Sequence, residues 1–449
     1  MSNFVLFLIL NAIKNFVMTI DKVIIEGYAN IDKVELKLGK FNSLVALNNY
    51  GKSNVVGGIN FGLDFIQQNI AVRKDMMAYK RVIPINKNID NKFFRFEIQC
   101  SSVFLGEEST VIYSFAFDWI KSDKLKGQRI REEILKVKSS SPDSKFKTFI
   151  NRNLKDSLYL PSPTGRCDKL LKIQKDELII NKLANFDDLF YLDLINQLNN
   201  LDFIQADTLQ HPNKLFRRIN ADVVKTEYSL EVPESQNVAF FIYSLKQLRP
   251  DLFELFKDSV TSLLSDIEDF EPFEIDLKKI AKLKSRKDKL PLDFPEKLYD
   301  IRVKEVNNNQ ETDIIYLSSG SQKVIYVLAM VLAAEINNIP IVTLEELENS
   351  IHPGLLQKFL IILDGLTEKT KIILTSHSPY LIQYLDIDRI KIGIPNAKGL
   401  AIFKEVKKSK FKKVINIAEE QGISVGDLIF DKMIECAGGD SEMLNELCE

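Results

Sequence analysis

Apolar and polar positions alternate near the start of the chain and then merge into an apolar run. Residues 22–38 alternate as two half-buried strands do, whereas Leu44 and Val45 stand side by side as in a buried strand. Apolar residues then recur at helical spacing from Val55 to Ile66. The pattern predicts two strands, a buried third strand, a turn and a helix.

Three further segments are rich in Phe, Ile and Val and are separated by polar turns, at residues 93–104, 111–119 and 129–138. They predict an antiparallel β lobe packed beside the first strands. Residues 140–235 are mixed, with helical patterns near 168–200. Helices are predicted at 235–248 and 251–268, and the sequence shows no sustained heptads.

The last third of the chain alternates between helix and strand patterns. After a helix that follows Ser319, the predicted elements are a strand at Ile341–Leu344, a helix at Pro353–Leu366, a strand at Lys371–Thr375, a helix at Pro379–Leu385 and a strand at Arg389–Ile394. Such alternation predicts a parallel sheet covered on both faces. Residues 414–449 have the pattern of one or two amphipathic helices.

The composition is that of a globular protein, since 45% of the 449 residues are hydrophobic and 27% are charged. The formal net charge of −2 argues against a surface coated in positive charge, so nucleic acid would have to contact local patches. The four cysteines are scattered without a CxxC pair, which argues against a zinc site and a disulfide framework.

An apolar run at Phe4–Leu10 resembles the core of a signal peptide. No basic region precedes it, no small-residue cleavage site follows it, and it is too short to span a bilayer. We interpret residues 1–17 as an extension or a packing helix, with Met18 as a natural start. We expect a cytoplasmic protein that does not contact a membrane.

The turn before the first helix carries the sequence ALNNYGKS at residues 46–53. Its spacing fits the phosphate loop GxxxxGK[ST], except that Ala46 replaces the first glycine. In such a loop the backbone N–H groups hold phosphates, Lys52 reaches the β and γ oxygens, and Ser53 holds Mg²⁺. The alternative is a plain strand-turn-helix corner. The candidate nucleotide-binding residues are Asn48, Asn49, Tyr50, Gly51, Lys52, Ser53 and Asn54.

Ser318, Ser319 and Gly320 stand at the start of a long apolar helix. A serine hydroxyl, a glycine backbone and the positive end of a helix together form an anion-binding corner, which makes these residues candidates for contact with phosphate. Taken alone, the same residues are more typical of a helix cap.

Two adjacent carboxylates, Glu345 and Glu346, follow the apolar strand pattern at 341–344. Acidic residues at the carboxyl end of a parallel strand can hold Mg²⁺ and orient water. We assign Glu345 to the metal, through water, and Glu346 to the general base. The alternative is two solvated glutamates that lead into a loop. His377, beyond the next buried strand, is a candidate to hydrogen-bond the γ-phosphate, although a lone histidine is more often a satisfied polar residue.

In this order the four elements resemble the ABC-type ATPase heads of the SMC/RecF/OLD group. Residues 18–54 resemble the group's first strands and its GxNNxGKSN loop, and LSSGSQ at 317–322 is similar to its signature motif. EELENSIHP at 345–353 resembles the Walker B and D-loop region, and TSHSP at 375–379 the switch histidine loop. Ala46 and Leu347 depart from the group's glycine and proline. The resemblance spans residues 18–395 in outline.

The resemblance implies an α/β ATPase head with a mixed or parallel sheet core, an antiparallel β lobe and an inserted helical lobe. We expect the head at 18–139 and 313–400, the inserted, mostly helical lobe at 140–312 and a tail at 401–449. For the group's Q-loop glutamine, Gln99 and Gln67 are both candidates, and the sequence does not place it.

The resemblance also implies a slow, regulatory ATPase that assembles with itself, as a head-to-head dimer or a higher oligomer. ATP and Mg²⁺ at the Lys52 loop of one copy would be closed over by Ser318 and Gly320 of the other. Water would attack the γ-phosphoryl without a protein nucleophile.

SMC and double-strand-break repair members carry long heptad segments, which this chain lacks. OLD-type nucleases need a DxD cluster, whereas Asp386 and Asp388 have the pattern of a turn. We therefore expect a head without its own nuclease, similar to the ATPase subunits of PARIS- and Septu-type antiphage systems, which implies a separate effector such as a nuclease or toxin. The alternatives are a RecF-like repair clamp that binds DNA, and a degenerate head that only binds nucleotide.

Two basic stretches, at 278–289 and 404–413, bear on the partners. Either could contact a DNA backbone, or each could be a solvated helix face or an edge strand guarded by lysine. The apolar residues of the C-terminal helices are expected to pack on the head's own flank or in the groove of a partner.

Overall fold

The computed structural model describes most of the chain between residues 18 and 437. The described ranges are 18–121, 129–206, 228–233, 237–276 and 297–437, without 348–350, 352, 379–380, 382–383, 386–388, 395 and 397, and Leu444 and Cys448 are described near the C-terminus. The basic stretch at 278–289, Asp386 and Asp388, and most of the predicted helix at 379–385 lie outside the described residues.

The chain divides into two compact units. The P-loop unit comprises residues 14–203 and 371–449, and the signature unit comprises residues 1–13 and 204–370. The strands in chain order are β1 (Thr19–Tyr28), β2 (Ile31–Lys37), β3 (Phe41–Val45), β4 (Phe94–Phe104), β5 (Glu107–Phe117), β6 (Ile130–Ser139), β7 (Lys147–Arg152), β8 (Ser157–Tyr159), β9 (Lys169–Leu170), β10 (Phe203–Ala206), β11 (Ile267–Asp276), β12 (Lys297–Glu305), β13 (Thr312–Asp313), β14 (Ile341–Glu345), β15 (Lys371–Ser376), β16 (Ile390–Gly393) and β17 (Phe403–Glu405).

The α-helices of the described residues are numbered in the same way. They are α1 (Lys52–Gln67), α2 (Ile70–Met77), α3 (Ile179–Leu183), α4 (Leu192–Asn199), α5 (Val238–Leu248), α6 (Pro250–Leu263), α7 (Ser319–Ile336), α8 (Pro353–Leu366), α9 (Lys408–Gln421) and α10 (Val425–Ala437).

The P-loop unit contains an antiparallel sheet with the strand order β2-β1-β4-β5-β6-β7-β8-β9. Ile25 of β1 is paired with Val34 on one side and with Phe96 on the other. The sheet confirms the antiparallel strands predicted from the apolar segments between residues 93 and 138. Helix α1 packs against it through aromatic rings, since Phe65 stacks on Phe117 with 4.7 Å between ring centroids.

A second set of strands in the P-loop unit runs parallel. Strand β3 pairs in parallel with β15 and with β16, and β17 pairs antiparallel to β16. Val45 lies level with Ser376 and with Ile392, so these parallel strands end at the same edge. The predicted parallel arrangement is therefore confirmed for these strands.

The two C-terminal helices, α9 and α10, cover the strands that carry the phosphate loop. Val414, Leu428 and Met433 are buried in one cluster with Val45 and Ile392. The apolar face that the sequence assigns either to the head's own flank or to a partner's groove thus packs within the P-loop unit.

The signature unit combines helices with a second antiparallel sheet. β11 pairs with β12, Phe270 lying opposite Val303, and the rings of Phe253 and Phe256 from α6 pack on Phe270. β10 lies beside β14, where Thr343 Oγ1 donates to the carbonyl of Ile204. α7 is long and apolar enough to cross a membrane, but 78% of it is buried inside the unit, as in a core helix.

The predicted inserted lobe at 140–312 falls partly in each unit. Residues 140–203 pack with the P-loop unit because β7, β8 and β9 continue its antiparallel sheet. Residues 204–312 contain α5 and α6 but also β11 and β12. Helix α6 ends at Leu263 rather than at residue 268, because the chain turns there into β11.

Candidate nucleotide-binding site

The phosphate loop and the turn that carries His377 both start at the same edge of the sheet. His377 is the residue predicted to contact the γ-phosphate. The N–H of Ala46 donates to the carbonyl of Ser376 at 3.3 Å, which extends the pairing of β3 and β15 by one residue. The loop at 46–53 therefore leaves the sheet beside His377. Carboxyl ends of adjacent parallel strands are where ligands bind in α/β sheets.

The loop turns through two residues with left-handed backbone, Asn49 at φ 68° and Gly51 at φ 92°. Gly51 is the N-cap of α1 and has no side chain to bond the first helical N–H groups. Those N–H groups and the positive end of the helix are the usual elements of a phosphate site. A Cβ atom at Gly51 would lie 2.6 Å from Cβ of Ala401, so this position requires glycine.

Lys52 is folded back across its own loop. Its side chain is 92% buried, and Nζ donates to the carbonyl of Ala46 at 2.5 Å and to that of Leu47 at 3.2 Å. The two carbonyls hold the ammonium group at the start of the loop, where it can meet the phosphates that the loop N–H groups would bind.

Ala46, the departure from the phosphate-loop pattern, is accommodated by a glycine on the neighbouring strand. Ala46 is fully buried, and a Cβ atom at Gly393 of β16 would lie only 2.4 Å from the methyl group of Ala46. Gly393 thus leaves the space that Ala46 fills. Alanine in place of the pattern's first glycine is therefore accommodated by packing against the neighbouring strand.

The other loop residues divide between solvent and anchoring contacts. Asn48, Asn49 and Ser53 are exposed, whereas Tyr50 packs partly buried against the cluster beneath α9 and α10. Asn54 Nδ2 donates to Asn30 Oδ1 at 2.7 Å.

Asn30 in turn fixes the edge of the loop. Its carbonyl accepts from the N–H of Ala401 at 3.0 Å, and its amide group donates to the carbonyl of Gly399 at 3.4 Å. The turn between β1 and β2 and the turn before β17 therefore hold the first turn of α1 from the side.

His377 stands in a short turn after β15. Ser376 is fully buried, and its Oγ accepts from the N–H of Ser378 at 2.9 Å. This hydrogen bond spans His377 and sets the direction of the chain on both sides of it. The imidazole itself is half-buried.

The signature residues open α7 in the other unit. Ser318 is the N-cap, and its Oγ accepts from the N–H of Ser321 at 3.1 Å. Gln322 fixes the preceding turn by donating from Nε2 to the carbonyls of Ile315 and Leu317. Ser318 and Ser319 are exposed and Gly320 is half-buried, so the turn faces solvent in the single chain.

The acidic pair ends β14 in the same unit as the signature. Glu345 is half-buried and its Oε1 accepts from Gln205 Nε2 at 2.8 Å. Glu346 has a left-handed backbone, with φ 48°. For a residue with a side chain this conformation costs of the order of 1 kcal/mol, and such outliers cluster at functional sites.

Gln205 is the glutamine that contacts the acidic strand end. Of the two candidates named from the sequence, Gln67 donates to the carbonyl of Leu201 and Gln99 lies in β4 opposite Lys22. Gln67 thus makes its contact at the end of α1, and Gln99 is part of the antiparallel sheet.

Asn30, Gly393 and Gln205 are missing from the sequence-based set of site residues. A glycine inside a buried strand indicates a close approach, and this signal could have identified Gly393. Asn30 lies in a turn, and Gln205 is a single polar residue on a short strand. Neither carries a local pattern that points to the site.

The P-loop unit and the signature unit each carry an oxygen donor of the kind that binds the magnesium ion of a nucleotide. Among the described residues no group of three or more His, Cys, Asp or Glu side chains converges. Mg²⁺ is usually held by one or two carboxylates together with substrate phosphates. The Ser53 hydroxyl and the Glu345 carboxylate are oxygen donors of the type that this ion prefers.

A phosphate loop at the end of a buried parallel strand, followed along the chain by a signature turn, an acidic strand end and a histidine turn, defines an ABC-type ATPase head. Residues 41–383 match the family described as "AAA domain, putative AbiEii toxin, Type IV TA system", and the chain belongs to this family. This match supports the ATPase head that the motifs predict. No curated protein matches the chain.

Several solved structures are similar to this chain. An SMC head bound to the C-winged helix domain of ScpA is 13% identical, covers 88% of this chain and 99% of its own, and has a TM-score of 0.43. The SMC head domain from Thermotoga maritima is 12% identical, with coverages of 87% and 99% and a TM-score of 0.40. RecF of the RecFOR pathway is 15% identical, with coverages of 86% and 98% and a TM-score of 0.35.

Proposed function

We propose that this chain binds ATP with Mg²⁺ at the Lys52 loop and hydrolyses it when two copies close head to head. The observation that carries the proposal is the start of α1. Gly51 leaves the first helical N–H groups without a side-chain cap, and the buried ammonium of Lys52 is held beside them. Uncapped N–H groups and a fixed cation together form a phosphate site.

The roles of the site residues follow from their chemistry and from the order of the motifs. The N–H groups of residues 48–54 and the ammonium of Lys52 bind and orient the phosphates. Ser53 and Glu345 hold Mg²⁺, which neutralises phosphate charge when it is bound. Gln205 orients the Glu345 carboxylate through its hydrogen bond.

Water activation requires a base and a group that reads the γ-phosphate. Glu346 accepts the proton of the attacking water, and its left-handed backbone sets the direction of the side chain at the strand end. His377 hydrogen-bonds the γ-phosphate from the edge shared with the phosphate loop. Catalysis is then positioning and charge stabilisation, as phosphoryl transfer requires.

The signature turn completes the site of a second copy. Ser318, Ser319 and Gly320 are accessible at the start of α7, where the helix dipole favours an anion. In a symmetric head-to-head dimer each copy would contribute its Lys52 loop to one site and its Ser318 turn to the other.

We further propose that the ATP cycle controls a separate effector, a nuclease or toxin of an antiphage system. The family description names a toxin of a toxin–antitoxin system, and such a system consists of two different proteins. Co-expression with the products of adjacent genes tests this. An effector should co-purify, and its release or activity should differ between ATP and ADP; a chain that purifies alone in both states contradicts it.

Mixing two inactive variants tests the composite site. Lys52→Ala removes the phosphate contact and Ser318→Arg blocks the signature turn, so each homodimer lacks turnover. A one-to-one mixture forms heterodimers with one intact composite site, and we expect about a quarter of the wild-type rate from random pairing. Each variant alone, at the same total concentration, is the control, because neither homodimer has an intact composite site.

Glu346→Gln tests the assignment of the base. The amide keeps the size of the side chain but cannot accept the proton, so turnover should fall about 100-fold while ATP binding persists. Trapped ATP should hold the dimer together in size-exclusion chromatography. Unchanged turnover would assign the base elsewhere.

A DNA clamp of the RecF type is the second candidate function. The observation that favours it is the basic segment at the start of α9, where Lys407, Lys412 and Lys413 are exposed. It predicts retention on duplex or gapped DNA that needs ATP and is lost in Lys52→Ala. Binding of DNA that is indifferent to ATP would remove this second candidate.

A further inference from the structure

The residue two positions before Ser318 is the most exposed aromatic residue in the part of the chain that the structure describes. Tyr316 ends the short 3-10 helix Ile314–Tyr316 and is 75% exposed, whereas the next aromatic residue in this order, Tyr79, is 47% exposed. The Cα atoms of Tyr316 and Ser318 are two residues apart, which is about 7 Å at most. Tyr316 therefore stands at the signature turn.

The ring of Tyr316 differs from other exposed rings in what lies against it. Three of those rings each have a cation or a second ring beside them. These pairs are Phe93 with Arg131, Phe146 with Lys138, and Tyr228 with Tyr243. Among the described residues Tyr316 has no such neighbour and no hydrogen bond of its side chain. Since an aromatic ring gains free energy when its faces leave water, this ring is open to a flat partner from outside the chain.

The backbone on both sides of Tyr316 is fixed by hydrogen bonds from α7. Gln322 donates from Nε2 to the carbonyl of Ile315 at 3.1 Å and to that of Leu317 at 2.9 Å. Ile314 and Leu317 are buried, so the side chains that flank this part of the turn anchor it to the signature unit. The turn therefore holds Tyr316 outward in one place.

Gln322 makes these two hydrogen bonds although its own oxygen remains unsatisfied. The side chain is almost fully buried, and Oε1 has no hydrogen-bond donor among the described residues. Rotation of the amide would place Oε1 against two carbonyl oxygens, so it offers no better arrangement. Buried polar atoms without a partner are rare in folded proteins and require an explanation. The shape of the turn that presents Tyr316 is thus kept even though one buried acceptor is left without a donor.

The chemistry of a nucleotide indicates what this ring would contact. On the proposed function, the signature turn meets the ATP that the Lys52 loop of a second copy holds. The positive end of α7 favours the phosphates of that ATP, and the base is the part of the molecule that offers a flat aromatic face. Aromatic side chains stack on any base, because every base has a π face.

We propose that Tyr316 stacks on the base of the nucleotide bound by a second copy, so that closure of the dimer depends on the base as well as on the phosphates. The inference rests on the proposed head-to-head ATPase. Because the ring faces solvent in the single chain, its contribution appears only on closure. The affinity of a dilute chain for ATP should therefore be independent of Tyr316.

Dimerisation of the full chain, followed by light scattering as ATP is added, tests the proposal. Tyr316→Ala should raise the ATP concentration for half-maximal dimer about tenfold, which is the order of the loss when one base stack is removed. Tyr316→Phe keeps the ring and should stay within about twofold of wild type. Tyr228→Ala makes the same change at another exposed ring of the signature unit and is the matched control, with no change expected. The Kd of the dilute chain for ATP should be the same in all four proteins.

The triphosphate of 2-aminopurine riboside distinguishes a base from a protein surface as the partner of Tyr316. The fluorescence of this base falls when an aromatic ring stacks on it. It should fall as wild-type dimers form and should not fall in Tyr316→Ala dimers, which form at higher nucleotide concentration. Equal quenching in the two dimers, or quenching in neither, overturns the proposal. A Tyr316→Ala chain that forms no dimer at any nucleotide concentration would assign the ring to a protein contact and also overturn it.

Failure of the proposed function gives a different result from failure of this inference. If the wild-type chain forms no dimer with ATP, head-to-head closure itself is contradicted, and the role of Tyr316 falls with it. If wild type and Tyr316→Ala form dimers at the same ATP concentration, closure stands and the base contact of Tyr316 is wrong.

Discussion

The helix after the phosphate loop and the helix after the signature turn begin in different ways. α1 begins on Gly51, which offers no side chain to its first N–H groups, while α7 begins on Ser318, whose hydroxyl already accepts from Ser321. Both helices present a positive end to an anion. At α1 a cation beside that end is held in place by the loop, through the bonds of Lys52 to the carbonyls of Ala46 and Leu47.

This difference between the two helix starts suggests different roles, one in binding the nucleotide and one in closing a dimer around it. On the proposed function, the start of α1, which has no side-chain cap, should bind phosphate in the single chain, whereas the start of α7 is capped by its own Ser318. To contact a phosphate bound by a second copy, the Ser318 hydroxyl would have to give up its hydrogen bond with the N–H of Ser321 for one with the phosphate. If two copies close head to head as proposed, closure should therefore depend on the nucleotide, as expected for a regulatory ATPase.

The largest expected effect that tests this contrast is on nucleotide affinity. Lys52→Ala should raise the Kd for ATP at least about 100-fold, because a charge-assisted contact to phosphate is lost. Ser318→Ala should change the Kd of the dilute single chain less than about threefold, since its hydroxyl serves only its own helix there. Fluorescence titration with a labelled ATP analogue measures both, and equal losses would contradict the contrast.

The sequence predicts the phosphate-loop side of the molecule well for a physical reason. The strands β3, β15 and β16 are short apolar runs, and Lys52 follows one of them at fixed spacing. Fixed spacing on a regular strand-turn-helix determines the place of each side chain. The same holds for the helix Pro353–Leu366, whose predicted bounds match α8.

Contacts between segments distant in sequence could not be predicted. Gly393 is recognisable as a partner of Ala46 only when β16 lies beside β3, and Gln205 only when β10 lies beside β14. The strands β11 and β12 were not predicted, because charged residues interrupt the alternation of apolar and polar positions, as in IEDFEPFEID at Ile267–Asp276. Pairing of β11 with β12 overrides the weak local pattern.

The next largest effect concerns the packing behind the loop. Gly393→Ala should destabilise the fold by about 1–3 kcal/mol, because the new methyl group would overlap that of Ala46. Ala46→Gly restores the space, so the double variant should recover most of the loss. Urea unfolding of the four proteins gives the coupling free energy, and a loss that is equal in both backgrounds would show that Ala46 is not the obstacle.

A smaller effect measures the cap of α7 directly. Ser318→Ala removes the acceptor for the N–H of Ser321 and should lower the free energy of unfolding by about 1 kcal/mol. Ser319→Ala, one residue further on and exposed, is the matched control and should change it by less than about 0.5 kcal/mol. If the two variants unfold alike, Ser318 is not satisfied by its own helix and the contrast with α1 weakens.

The smallest effect concerns how an uncapped helix start is kept in place. The first turn of α1 has no side-chain cap, but Asn54 bonds Asn30 at 2.7 Å and Asn30 bonds the backbone at residues 399–401. Asn54→Ala should therefore lower the free energy of unfolding by only about 0.5–1 kcal/mol. It should also raise the Kd for ATP a few-fold, since the phosphate-binding N–H groups lose their lateral support.

The double variant tests whether the two asparagines act through their shared hydrogen bond. Asn30→Ala added to Asn54→Ala should lower the free energy of unfolding by less than Asn30→Ala alone does, because the shared bond is already gone. Additive losses would mean that each asparagine acts separately, and that the loop itself holds the start of α1.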